Sequence, residues 1–68
     1  MEKLFKERLN NISKILLHHV QEVRNAVKKE DELRATREAR EALNMASWVI
    51  TYGSALTTIK QIDRKEQE

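Results

Sequence analysis

The sequence predicts an all-α chain, an antiparallel two-helix hairpin that assembles into a four-helix-bundle dimer or a higher cyclic oligomer. Three observations carry this. The 68 residues contain no proline, one glycine and 35% charged side chains, the composition of long solvated helices. Apolar residues recur at three- and four-residue steps in two blocks, parted by the charged stretch Lys28-Lys29-Glu30-Asp31. The second block bears two apolar lines, so its helix needs two partners.

The first helix is expected from about residue 2 to 28. Its apolar line reads Phe5, Leu9, Ile12, Leu16, His19 or Val20, Val23 and Ala26 or Val27. Exposed pairs four apart, such as Lys3 and Glu7, give it modest surface support. The charged stretch then breaks the pattern. Asp31 is suited to cap the next helix, and Glu32 suits the positive helix start. No glycine marks the turn, which leaves one unbroken helix as the alternative.

The second helix is expected from about 31 to 63. One line is Ala35, Ala39, Ala42, Ala46, Val49, Gly53 and Leu56, nearly all small, so whatever packs there comes close. Folding the chain at about residue 31 pairs Ala26 with Ala35, Val23 with Ala39, His19 with Ala42 and Leu16 with Ala46. The pairing continues as Ile12 with Val49, Leu9 with Gly53 and Phe5 with Leu56, large against small at most steps. The second line is Met45, Trp48, Tyr52, Ala55, Ile59 and Ile62. A monomer exposes it together with Ile15, Leu17, Val20 and Val27, a patch that an assembly buries. Met45, Ala55, Ile59 and Ile62 are the expected subunit-interface residues. The tail 64–68 has no apolar anchor and is expected to fray. Residues 1–68 form a single helical hairpin domain with no internal repeat.

The chain has no cysteine to staple so small a core, which again favours association. Its formal charge of +2 permits an anionic partner without demanding one. No apolar run is long enough to cross a membrane, and Met1-Glu2-Lys3-Leu4-Phe5 lacks a signal-peptide core, so a cytoplasmic setting is expected.

Catalysis is not expected. No nucleophile is paired with a base, no glycine-rich loop offers a phosphate cradle, and two helices leave little room for a water-excluded site. Neither a metal nor a cofactor is expected. His18 and His19 are adjacent and diverge by about 100° on a helix, so they do not chelate one ion. His19 reads as a core-edge residue bonded to a neighbour and His18 as a surface one. The candidate binding line is polar and aromatic: Arg37, Glu41, Asn44, Trp48, Thr51 and Tyr52, flanked by Arg34 and Arg40. Arginine offers forked donors to phosphate, aromatic rings offer stacking faces to bases, and asparagine offers a donor and an acceptor. The same residues also admit a plain reading. Trp48 and Tyr52 suit packing between subunits, and Arg34/Glu38 and Arg37/Glu41 suit helical ion pairs.

Residues 37–56, with the run Arg37-Glu38-Ala39-Arg40-Glu41-Ala42-Leu43-Asn44-Met45-Ala46-Ser47-Trp48 followed by Ala55-Leu56, resemble the anti-CBASS and anti-Thoeris hairpin sponges of phages. The resemblance implies a helical homo-oligomer that traps a cyclic-nucleotide immune signal between subunits without cleaving it, in the cytoplasm of an infected bacterium. On that reading Arg37 and Arg40 hold phosphate, Trp48 and Tyr52 stack on the base, and Asn44 hydrogen-bonds. A second likeness is the run Ala42-Leu43-Asn44-Met45-Ala46, similar to the Rop family of RNA-binding four-helix dimers. By position, Asn44, Trp48 and Arg37 match an Asn, a Phe and a Lys of that RNA face, and Ala42 and Ala46 match its small core layers. Tyr52 and Ile59 depart from it. It implies an RNA partner, and a third alternative is a module that blocks or scaffolds another protein.

Overall fold

A computed structural model describes residues 2–67, with side chains through residue 64. Two helices, α1 (Glu2–Lys28) and α2 (Glu32–Gln67), fold back on one another as a hairpin 56 × 14 × 13 Å across. The described residues contain no strand.

The turn is made without glycine. The Asp31 N–H donates to the Ala26 carbonyl at 2.9 Å and the Glu30 N–H to the Val27 carbonyl at 3.1 Å. These are the two bonds of a Schellman motif, which closes the last turn of α1. The motif needs a left-handed residue, and Glu30 supplies it with φ of 58°. Asp31 then starts α2. Its Oδ1 accepts the Arg34 N–H at 3.1 Å, and its carbonyl accepts the Ala35 N–H at 3.0 Å. The cap expected at Asp31 is therefore present, and the unbroken-helix alternative is excluded.

α1 presents the expected line inward. Phe5, Leu9, Ile12, Leu16, His19 and Val23 are half-buried and Ala26 is buried. Their steps alternate four and three, the heptad spacing of a coiled-coil seam. The matching seam on α2 is Ala35, Glu38, Ala42, Met45, Val49, Tyr52, Leu56 and Ile59, all of them buried or half-buried. It draws on both apolar lines of the sequence and admits one acid. Ala39, expected inside, is exposed.

Two contacts across the hairpin fall one helical turn from the expected pairing, and a third, Arg8 over Tyr52, falls beside the expected Leu9–Gly53 pair. The Phe5 ring meets Tyr52, and His19 bonds Glu38, where Leu56 and Ala42 were the expected partners. The Arg34 guanidinium reaches Glu22 across the same gap. Ion pairing between helices thus occupies residues that the sequence assigned to pairs within one helix. Among the described residues the intrahelical pair is Lys6 with Glu2, at 3.3 Å.

With 36 residues against 27, α2 overhangs α1 by about 13 Å at 1.5 Å per residue. It is helical to Gln67, beyond the end suggested near residue 63, because Asp63, Arg64 and Lys65 include neither proline nor glycine. Residue 68 of the expected frayed tail lies outside the described residues. No helix is long and apolar enough to cross a membrane among the described residues.

Candidate ligand-binding face

The heptad positions divide the rest of the hairpin into two broad sides. In an antiparallel pair, residues just before the first seam position on each helix share one side, and residues just after the second share the other. The Glu22–Arg34 bond joins two residues of the first kind and identifies their side. Trp48 lies on that side two heptads along from Arg34, with Arg8 on α1.

An aromatic shelf stands there. Tyr52 is half-buried in the seam, with the Phe5 ring tilted against it at 5.7 Å between centroids. Trp48, one turn earlier, stacks on Tyr52 at 5.8 Å and 29° between planes. Its indole is 47% exposed. The Arg8 guanidinium carbon lies 6.0 Å from the Tyr52 ring centroid, within reach of a cation–π contact. The arrangement sets a flat, half-open π surface beside a cation. It can stack a planar group on one side and attract negative charge at its edge.

The expected ligand residues do not all meet there. Asn44 is exposed and stands one turn from Trp48 on the same side. Arg37 and Arg40 are exposed but lie eleven and eight residues from Trp48, about 16 and 12 Å along the helix axis. Arg40 also sits on the back of α2, away from the seam. Arg34, named as a flanking residue, is held by Glu22. The cation beside the ring is instead Arg8, which the sequence reading missed. Arg8 is an exposed residue of α1, and the candidate line was drawn on α2 alone, although pairing Leu9 with Gly53 already sets residue 8 beside residue 52. Of the expected interface residues, Met45 and Ile59 lie half-buried along the intrachain seam, Ala55 is half-buried beside it, and Ile62 is 52% exposed on the overhang.

A second polar site lies nearer the turn. His19 Nδ1 donates to Glu38 Oε2 at 2.6 Å within the seam. The bond holds the Glu38 carboxyl below its ordinary value of 4.5, against a smaller opposing effect of desolvation, with His19, Arg34 and His18 adding attraction. His18 stands exposed, its ring 5.4 Å from that of His19. No group of three or more potential metal ligands occurs among the described residues. The hydroxyls of Thr36, Ser47, Thr51, Thr57 and Thr58 each donate to the carbonyl four residues back, at 2.9–3.1 Å.

Two surface grooves flank α2 elsewhere. One, at the turn, is lined by Val27, Glu30, Asp31, Glu32, Ala35 and Thr36, whose three acids repel an anion. The other is lined by Val49, Ile50, Gly53, Ser54 and Thr57. Neither is lined by Trp48 or Tyr52. The chain matches no protein-family model, no curated protein and no solved structure, so the reading of this face rests on its own geometry.

Proposed function

We infer that this chain is a non-catalytic subunit of a helical homo-oligomer that sequesters a small anionic ligand of the cyclic-nucleotide type. The observation that carries the reading is the exposed Trp48–Tyr52 stack with Arg8 over the tyrosine ring. Trp48 stacks on a base, Arg8 attracts the phosphate, and Asn44 hydrogen-bonds from the adjacent turn. Arg8 takes the place that Arg37 and Arg40 have in the sponge resemblance. The shelf is open on a single hairpin, so a second subunit laid over it is what withdraws the ligand from water.

Trp48 is the chain's single tryptophan, so its fluorescence reports the site directly. Cyclic mono- and dinucleotides are expected to quench it saturably and to raise the unfolding temperature, since a ligand bound by the folded form stabilises it by mass action. Trp48→Ala is expected to weaken binding by about 1–3 kcal/mol, the worth of one base–aromatic stack. Arg8→Gln is expected to weaken it with helix content unchanged. Binding to RNA that falls steeply with salt, with no response to cyclic nucleotides, selects the Rop-like reading instead. Response to neither leaves a protein-interaction module.

A further inference from the structure

The other broad side of the hairpin is used neither by the seam nor by the Trp48 shelf. Along α2 it carries Ala39, Leu43, Ala46, Ile50 and Gly53, at alternating steps of four and three, a packing seam in its own right. Leu43 and Ile50 are each 69% exposed. A Cβ built on Gly53 meets nothing within 4 Å, so no contact inside the chain requires a glycine there. Glycine nonetheless weakens a helix interior. Beside it runs the groove lined by Val49, Ile50, Gly53, Ser54 and Thr57.

We propose that this side of α2 packs antiparallel against the same side of α2 in a second copy of the chain, about a two-fold axis beside Ala46. Reversal about that residue exchanges the small positions of the stripe and its charged ends, and lays Leu43 and Ile50 beside Val49 and Ala42 of the second copy. Seven positions out on either hand stand Ala39 and Gly53, both small, which lets the two backbones approach closely. Fourteen positions out stand Glu32 and Lys60, opposite in charge, so each end of the interface forms one Glu32–Lys60 pair. Leu43 comes level with Val49 of the second copy. Helical side chains lean toward their own N-terminus, which carries Leu43 on toward Ile50 and Gly53 and into the groove.

A second copy, rather than an unrelated protein, is the occupant for two reasons. Isologous contact demands self-complementarity of this kind in both size and charge. The buried apolar core among the described residues is Ala26 and Leu56 alone, so the partner has to be present whenever the chain is folded. The proposal is independent of what the Trp48 shelf binds, because that shelf lies on the opposite side.

The absence of cysteine gives a clean test. Ala46→Cys places two thiols at the axis and is expected to yield a disulfide-linked dimer under mild oxidation, whereas Gln61→Cys, about 45 Å from its mate along the helix axes, is not. In sedimentation equilibrium at low salt, Glu32→Lys and Lys60→Glu are each expected to weaken the dimer roughly tenfold. The double variant is expected to restore it, which loss of folding in the single variants does not mimic. Gly53→Ala, whose Cβ meets nothing inside the chain, is expected to keep helix content and weaken the dimer. Equal cross-linking of the Ala46→Cys and Gln61→Cys variants, a double variant no tighter than the singles, or a wild-type chain monomeric at all concentrations and free to take a different protein on this stripe would each overturn the proposal.

Discussion

At the scale of single residues, the turn concentrates both strain and stabilisation. Glu30 holds a left-handed backbone that the Schellman motif requires and that an L-residue with a Cβ resists. Glu30→Gly removes that strain but adds freedom to the unfolded chain. The net gain is expected to be about 0.5–1 kcal/mol, seen as a rise of a few degrees in Tm at fixed protein concentration. Asp31→Ala removes the bond to the Arg34 N–H and is expected to cost about 1 kcal/mol in the same measurement. Within the shelf, Tyr52→Ala is expected to destabilise more than Trp48→Ala. Tyr52 packs between two rings in the seam, while nearly half of Trp48 is open. The Asp31 cap was legible in the sequence because a short acid before a helical run has few other uses. Glu30 was not, because nothing in its side chain advertises a left-handed backbone.

At the scale of the helices, the two differ in how plainly they declare a face. α1 carries Phe5, Leu9, Ile12, Leu16 and Val23 on one stripe that lies inward as read, and of the two open positions His19 and Ala26 turn inward while Val20 and Val27 stay exposed. α2 carries apolar residues around much of its circumference, so hydrophobicity alone does not select its inner side. The true seam weaves between both lines and passes through Glu38, an acid that pattern reading places on the surface. The partner that makes this tolerable is His19, one turn nearer than the expected pairing put it. Arg8 was missed for a different reason, since it stands exposed on α1 while the candidate line was drawn along α2. A polar pair in an otherwise apolar seam disfavours slipped registers, in which both groups lose their partner. It also couples stability to pH. Because folding lowers the Glu38 pKa, the native chain holds fewer protons than the unfolded one as pH falls through the carboxylate range. The contribution is full above the ordinary value of 4.5 and is lost as pH drops through the lowered one. Urea unfolding followed from pH 7 to 3 is expected to show that loss, and Glu38→Gln is expected to flatten this part of the profile.

At the scale of the whole molecule, the hairpin is a slender body with apolar side chains on both broad sides. Leu17, Val20 and Val27 of α1 and Leu43 and Ile50 of α2 are exposed on one, and Ile15, Trp48 and Ile62 on the other. Its short turn and antiparallel pairing followed from periodicity and one charged break. Its assembly and its ligand are properties of surfaces, which periodicity marks as apolar without naming what covers them. A body with so little internal core is expected to owe its stability to association, and this is the claim to test first. Thermal unfolding should be recorded over a hundredfold range of protein concentration. If folding is coupled to self-association, mass action adds roughly 2.7 kcal/mol across that range, and the midpoint should rise by roughly 5–10 °C. A midpoint that stays fixed at every concentration, with a sedimenting mass of one chain, would contradict it.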